Sequence, residues 1–212
     1  MILQGVFFQL KKYKNHLNAI NVFPIADGDT GANMYRTVEE VYKEVDAETD
    51  MHNFIDKLRR GSFMGATGNS GTILSQFFAG FCETAKKIKD IPDYRLLAEC
   101  IERGTEKAYE AVQAPREGTI LTVMRGVAKA ATDYGTLEEK QFTGGVSEDL
   151  NKFSGYLGYL IDAGKETLKK TPLLLPCLEQ AGVVDAGGQG FVYILEGAKR
   201  GVDEYLKIKG SG

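Results

Sequence analysis

Apolar side chains recur along most of this chain at intervals of three and four residues, which is the spacing of one face of an α-helix. The clearest example lies near the end, where the apolar positions are Phe191, Ile194, Leu195, Ala198, Val202 and Tyr205. The strict alternation of a half-buried β-strand is nearly absent. The pattern therefore predicts an all-α protein with seven to nine helices.

The other predicted helices are separated by short polar connections. They cover Leu10–Ile20, a stretch from about Ala32, Phe54–Phe63, Thr72–Cys82, Tyr94–Val112, Thr119–Ala131 and Asp149–Leu168. The polar, glycine-containing stretch from Tyr134 to Gly145 is predicted to be a loop. Since no linker or internal repeat interrupts the pattern, residues 1–212 are interpreted as one domain with antiparallel neighbouring helices around a common core.

Composition narrows the function classes. The 212 residues carry a net charge of −3, so no bulk electrostatic attraction to nucleic acid is expected. No apolar run of about 18 residues exists, which predicts that the chain has no membrane span. Three widely spaced cysteines, Cys82, Cys100 and Cys177, form no metal-binding or disulfide pattern and are interpreted as buried thiols in a reducing compartment. Since the N-terminus lacks signal-peptide features, the expected location is the cytoplasm.

The densest group of polar side chains lies between the first two predicted helices, in the segment Asn21–Met34 (Asn-Val-Phe-Pro-Ile-Ala-Asp-Gly-Asp-Thr-Gly-Ala-Asn-Met). Hard oxygen ligands just ahead of a helix N-terminus suit a complex of Mg²⁺ with phosphates. Asp27 and Asp29 are the candidate metal ligands, and Asn21 is a candidate for a further carbonyl oxygen. Gly28 would let the chain bend so that both carboxylates face one ion.

Two residues at the start of the following helix, Thr30 and Asn33, would reach phosphate or a metal-bound water. A simple turn is the structural alternative for this segment, because Asp and Gly are common turn residues. An EF-hand is excluded, because Val38 stands where that loop requires a bidentate glutamate.

A glycine-rich segment, Gly65–Thr72 (Gly-Ala-Thr-Gly-Asn-Ser-Gly-Thr), opens another apolar helix. Its glycines permit close approach of a ligand to the backbone, and the helix start would point N–H groups at a phosphate. Asn69, Ser70 and Gly71 are therefore candidate nucleotide-binding residues. The segment is not a Walker A loop, because the Gly-Lys-Ser/Thr ending is missing. Close packing between helices is the structural alternative.

Two more helix starts combine glycine with a polar side chain. One is Glu117–Leu121, which offers Thr119 and Ile120, and the other is Val183–Gly190, which offers Asp185, Gly187 and Gly188. A helix N-cap is the structural alternative for Asp185. Four such helix starts meeting at one end of a bundle would build a nucleotide site without a P-loop.

Together these segments resemble the nucleotide-binding domain of the dihydroxyacetone kinase family, often called the DhaL-type domain, and most closely its bacterial fatty acid kinase branch. The runs that carry the resemblance are Asn21–Met34, Met64–Gln76, Glu117–Val123 and Gly182–Gly190. The resemblance implies an antiparallel eight-helix barrel with ATP and two Mg²⁺ ions at one end.

Carried over position by position, the resemblance makes Asp27 and Asp29 metal ligands and brings Asn33 and Ser70 to the phosphates. It also implies that Thr119 and Ile120 line the nucleotide pocket, and that the run from Asp185 to Gly188 closes it.

The sequence departs from the dihydroxyacetone kinase pattern at two positions. That branch has a third Asp five residues before the Asp-x-Asp pair, where this chain has Val22, with Asn21 one residue further back. It also has a His where this chain has Thr30. The Asp-Gly-Asp-Thr-Gly form resembles the fatty acid kinase branch.

That branch implies transfer of a phosphoryl group from ATP to a fatty acid carboxylate. The acyl chain would be presented by a separate fatty acid-binding protein, and a homodimer is considered as an assembly. Two alternatives stay open, the nucleotide-binding subunit of a dihydroxyacetone kinase and a regulatory nucleotide-binding module without turnover.

Overall fold

The computed structural model describes residues 1–45, 50–88, 93–137 and 146–210. Its helices are α1 (Ile2–Ala19), α2 (Thr30–Glu44), α3 (Met51–Gly65), α4 (Gly68–Ala85), α5 (Tyr94–Glu110), α6 (Ile120–Leu137), α7 (Val146–Leu168), α8 (Thr171–Leu174), α9 (Pro176–Ala181) and α10 (Ala186–Gly210). No strand occurs within these ranges, which confirms the predicted all-α class.

Eight long helices form a closed ring of neighbours. Helices α1 to α7 contact one another in chain order, α7 contacts α10, and α10 contacts α1. Helix α10 also contacts α2 and α6, while the short helices α8 and α9 pack on each other in the connection between α7 and α10. These are the neighbour contacts of the expected eight-helix arrangement.

The helices alternate in direction around this ring. The first residues of α2, α4, α6 and α10 lie around two adjoining cavities, so all four helices begin at the same end of the molecule. Helices α1, α3 and α5 lead by short connections into α2, α4 and α6, and therefore end there. We call this the N-terminal end of the bundle, after the four helix N-termini that it gathers.

The main core consists of apolar side chains from α1, α2, α4, α5, α6, α7 and α10. Leu10, Met34, Leu74 and Phe191 are among its fully buried members. Packing is closest where α1 crosses α10, since a Cβ atom built on Gly5 would lie 2.1 Å from the carbonyl oxygen of Gly197. Only glycine permits the two backbones to approach this closely.

Several helix boundaries differ from the sequence prediction, most of all the start of α1 and the end of α6. Helix α1 begins at Ile2 rather than near Leu10, because the apolar spacing continues through buried Val6 and Phe7. Helix α6 continues to Leu137, so the loop predicted from Tyr134 is wrong for its first four residues. Residues 138–145 of that predicted loop lie outside the described residues.

Two further expectations concern the thiols and membrane spans. Cys82 and Cys100 are buried and Cys177 is half-buried, and burial raises the pKa of the Cys82 thiol to about 12, so this thiol stays protonated and unreactive. In the described part of the chain, every helix is too short or too polar to cross a membrane.

Candidate functional site

The acidic loop between α1 and α2 is held together by the carboxamide of Asn21, which is 5% exposed. Its Nδ2 donates to the carbonyl oxygens of Phe23 (3.4 Å) and Ile25 (3.1 Å). Its Oδ1 accepts from the backbone N–H groups of Asp29 (3.2 Å) and Thr30 (3.1 Å). Both lone pairs of this oxygen are used, so Asn21 positions the loop in this structure, and its role as a metal ligand stays a prediction.

The two carboxylates of the loop remain available to a ligand. Asp27 is exposed, Asp29 is half-buried, and Gly28 between them has φ +68°, which favours glycine. Both acidic residues line a cavity of about 150 Å³, together with Thr30, Asn69 and other residues of the two loops. Among the described residues, no cluster of three or more His, Cys, Asp or Glu side chains is arranged for a metal. A Mg²⁺ ion here would take its other ligands from phosphate oxygens and water, which is the usual mode for nucleotide-bound Mg²⁺.

The glycine-rich segment forms the start of α4, where the N-cap residue Thr67 makes no side-chain capping bond. The N–H groups of Gly68, Asn69 and Ser70 precede the first intrahelical bond, which runs from Gly71 N–H to the Thr67 carbonyl (3.1 Å). These three donors point out of the N-terminus of a long helix, where the helix dipole favours an anion.

Two buried polar atoms beneath this segment have no partner among the described residues. They are Asn33 Nδ2 and the Thr67 hydroxyl. Gly68 lies directly on the Asn33 amide, since a Cβ atom on Gly68 would be 2.2 Å from Nδ2. Unsatisfied buried polar groups are costly in a folded protein, so these two atoms weaken the packing beneath the segment. Asn33 itself is absent from the residues that line either cavity.

Gly71 and Gly188 line neither cavity. A Cβ atom on Gly71 would lie 2.9 Å from the Thr37 hydroxyl, so this glycine allows α4 to pack on α2. A Cβ atom on Gly188 would lie 2.7 Å from Val123 on α6. The structure therefore gives both glycines a packing role, and their role as nucleotide contacts stays a prediction.

Asp185 caps α10 and lies beside the start of α6. Its carboxylate accepts from Gly188 N–H of α10 (2.7 Å) and lies close to the N–H groups of Gly187 and of Ile120, the first residue of α6. Burial raises the pKa of Asp185 to about 7, although these three N–H groups oppose the rise. Its own N–H donates to the hydroxyl of buried Thr171 (3.1 Å). The N-cap alternative for Asp185 is thus correct, and Asp185 also lines the larger cavity.

That larger cavity has a volume of about 460 Å³ and adjoins the smaller one through Pro24, Thr30, Asn69 and Ser70, which line both. One part of its lining is apolar, with Phe23, Ile73, Val112, Ile120 and Leu121. The two cavities form one cleft that is apolar at one end and acidic at the other, with helix N-termini between them. We call it the N-terminal cleft.

The cleft brings together most of the predicted site residues. Asn21, Asp27, Asp29, Thr30, Asn69, Ser70, Thr119, Ile120, Asp185 and Gly187 line it. Apart from Ile120, the sequence prediction missed the apolar lining, because Ile73 and Val112 occur in helical patterns that are typical of core positions. It also missed Asn18, whose Oδ1 accepts from Ala32 N–H (3.0 Å) and covers the start of α2.

The fold and the site define an all-helical bundle with a cleft where the N-termini of four helices meet. The family model described as the DAK2 domain matches residues 24–200, which is most of the chain. The chain therefore belongs to the DAK2 domain family, in agreement with the DhaL-type resemblance of its motifs.

Curated relatives are found in staphylococci. An uncharacterised protein of Staphylococcus epidermidis is 41% identical over 206 residues, which cover 95% of this chain and 34% of the relative. An uncharacterised protein of Staphylococcus aureus (strain USA300) is 40% identical over 201 residues, covering 93% and 34%. The chain thus spans about a third of the length of these relatives.

The fold is similar to that of a solved kinase. The crystal structure of the dihydroxyacetone kinase from C. freundii in complex with AMP-PNP and Mg²⁺ superimposes with a TM-score of 0.65 over 94% of this chain and 33% of that one. Sequence identity in this comparison is 16%, so the similarity supports the shared fold.

Proposed function

We propose that this domain binds ATP with Mg²⁺ in the N-terminal cleft and transfers the terminal phosphoryl group to a fatty acid carboxylate, giving an acyl phosphate. A separate fatty acid-binding protein would present the acyl chain. The observation that carries the proposal is the continuity of the cleft. It runs from an apolar slot, past an uncapped helix N-terminus, to the carboxylates of Asp27 and Asp29.

The apolar slot suits the base and ribose of the nucleotide. Its volume of about 460 Å³ lies within the usual range of small-molecule sites. Ile73 on α4 and Ile120 and Leu121 on α6 offer apolar surface to an aromatic base, and Thr119 adds a polar side chain to the same lining. These side chains bind and orient, and they need no chemistry of their own.

The start of α4 is the best place for the phosphates. Of the four helix N-termini at the cleft, those of α6 and α10 are already covered by Asp185, and that of α2 is covered by Asn18 and Asn21. The N–H groups of residues 68–70 have no such cap. The nearby Ser70 hydroxyl, 3.5 Å from the Thr30 carbonyl, can turn to a phosphate oxygen.

Asp27 and Asp29 would hold Mg²⁺ next to these phosphates. Bound there, Mg²⁺ would supply charge neutralisation for phosphoryl transfer, a reaction that needs little covalent chemistry from the protein. Two carboxylates suffice for one ion that also binds phosphate oxygens. The second ion implied by the resemblance is part of the proposal.

The proposal of a fatty acid as the acceptor rests on the Asp-Gly-Asp-Thr-Gly sequence of the acidic loop. A fatty acid carboxylate is ionised near neutral pH and needs no strong base. This agrees with Thr30 standing in the cleft where the dihydroxyacetone kinase pattern has His. The alternative acceptor, dihydroxyacetone held by a partner subunit, is favoured by the structural similarity to the C. freundii enzyme. A nucleotide-binding module without turnover is the third candidate.

Nucleotide binding is tested by calorimetry with Mg·ADP on the wild-type domain and on Asp29→Asn. The variant is expected to lose at least tenfold in affinity, because half of the protein's charge at the metal site is removed. The matched control is Asp56→Asn, which removes an exposed carboxylate on α3 that pairs with Lys86 at 3.3 Å. Equal affinity in wild type and Asp29→Asn would show that the metal assignment is wrong.

The acceptor is tested by acyl phosphate formation from radiolabelled ATP. Four reactions are compared. Three use fatty acid as the acceptor, with the domain alone, the domain plus a fatty acid-binding protein, or a full-length relative plus that protein. The fourth uses the domain with dihydroxyacetone and its binding subunit. The domain alone is expected to phosphorylate free fatty acid negligibly, because an unoriented acceptor lacks the roughly 10⁵–10⁸ M effective concentration of a positioned one. Strong product formation by the domain alone would contradict the partner part of the proposal, and ATP-dependent transfer only to dihydroxyacetone would contradict the fatty acid part.

A further inference from the structure

A network centred on Glu117 lies behind the wall of the apolar slot. The carboxylate of Glu117 accepts two hydrogen bonds from the guanidinium of Arg125 on α6, at 2.7 and 2.6 Å. It also accepts from the Thr122 hydroxyl at 2.7 Å, and the Tyr109 hydroxyl on α5 lies 3.4 Å away. Glu117 therefore connects the α5–α6 loop to the helices on either side.

The network continues into the backbone of the same loop. The Thr122 hydroxyl accepts from the N–H of buried Gly118 (2.8 Å), whose φ of +86° favours glycine. The hydroxyl of Thr119 donates to the carbonyl of Arg116 (2.8 Å). The loop thus turns sharply between Arg116 and Thr119, and Glu117 fixes the turn from outside.

This loop forms one side of the nucleotide slot. Val112, Gln113, Arg116 and Thr119 all line the larger cavity, whereas Glu117, Thr122 and Arg125 do not. The network therefore contacts this wall from behind and does not line the nucleotide slot itself. Its effect on binding must act through the position of the loop.

We infer that Glu117 and Arg125 form a latch that sets the position of the nucleotide-binding wall, and that Glu117 is a positioning residue for nucleotide affinity. The inference rests on the proposed function of the cleft. Exposed ion pairs usually contribute little to stability, and both side chains here are about half exposed. The latch differs from such pairs because its two-pronged geometry is directional and because Thr122 links it to a buried backbone turn.

The test measures Mg·ADP affinity by calorimetry on wild type, Glu117→Gln, Arg125→Met and the double variant. Each single variant is expected to bind about tenfold more weakly, which corresponds to about 1.4 kcal/mol. The double variant is expected to bind no more weakly than either single one, because the two residues act as one unit. The melting temperature without ligand is measured in parallel.

Asp133→Asn is the matched control, since Asp133 makes an ion pair of similar length with Lys129 on the same helix (2.6 Å) but lies away from the loop. The latch predicts that Asp133→Asn binds Mg·ADP with wild-type affinity. It also predicts that the melting temperatures of the latch variants lie within a few degrees of the melting temperature of Asp133→Asn. Wild-type affinity in both Glu117→Gln and Arg125→Met would overturn the latch, and so would additive losses in the double variant. Failure of the wild-type domain to bind Mg·ADP would instead overturn the proposed function on which the latch rests.

Discussion

Asp185 makes a specific prediction about how stability depends on pH. Its carboxyl group is buried between the N-termini of α6 and α10, and burial raises its pKa from 3.8 to about 7. A carboxyl group with a higher pKa in the folded state binds its proton more tightly there than in the unfolded chain. Its contribution to stability therefore falls as the pH rises from about 4 to about 7, and stays low above that range.

The size of this effect follows from the pKa difference. A rise of about three pH units corresponds to about 4 kcal/mol at about 1.4 kcal/mol per unit. Between pH 5 and pH 8 the expected loss of stability from this group is about 2.5 kcal/mol. Both figures are upper bounds, because the positive ends of α6 and α10 favour the carboxylate form.

The assay is urea unfolding of the ligand-free domain at pH 5, 6, 7 and 8, for wild type and Asp185→Asn. The amide does not titrate, so the variant lacks the pH-dependent contribution of residue 185 to the free energy of unfolding. The free energy of unfolding of wild type, relative to the variant, is expected to fall as the pH rises. Asp56→Asn serves as the control with an exposed carboxylate. A difference between wild type and Asp185→Asn that stays constant from pH 5 to pH 8 would refute the reasoning, because it would mean that the helix ends keep Asp185 ionised throughout.

Three other substitutions test roles that the structure assigns. Asn21→Asp keeps the oxygen that accepts from the start of α2 but loses both hydrogen bonds that the carboxamide donates, so Mg·ADP binding should weaken in calorimetry. Tighter Mg²⁺ binding in this variant would instead support a role of residue 21 as a metal ligand. Gly71→Val should lower the melting temperature strongly, since the valine side chain would meet Thr37 on α2. Normal stability together with lost nucleotide binding would indicate that Gly71 contacts a phosphate instead. Gly5→Ala should lower the free energy of unfolding in urea by about 1–3 kcal/mol or more, because the added methyl group would overlap the backbone at Gly197. An unchanged free energy of unfolding would show that α1 can shift.

The sequence predicted the all-α class and most of the cleft from local patterns. Apolar spacing predicted the last helix around Phe191 and Ile194, and both residues lie in α10 and are buried. The segment with Asp27 and Asp29 was predicted to precede a helix, and α2 begins at Thr30. Such features are readable because helix periodicity and helix starts depend on residues a few positions apart.

The direction in which individual side chains face was decided by packing between distant segments. Gly71 stands in the same glycine-rich run as Ser70, yet it faces Thr37 on α2 while Ser70 lines the cleft. Asn21 carries the oxygen expected of a metal ligand, but the fold places the N–H groups of Asp29 and Thr30 against that oxygen.

The Glu117 latch shows the same division. The sequence marks Glu117-Gly118-Thr119 as a helix start, and the structure agrees, since α6 begins at Ile120. That Arg125 reaches back with both guanidinium nitrogens to Glu117, and that the loop so fixed lines the cleft, depends on α5, α6 and the loop meeting in space. Local chemistry thus determined which segments form helices and which of them start with polar groups. Only the closed ring of helices decided which of those polar groups face a common ligand, because that choice depends on contacts between residues far apart in the chain.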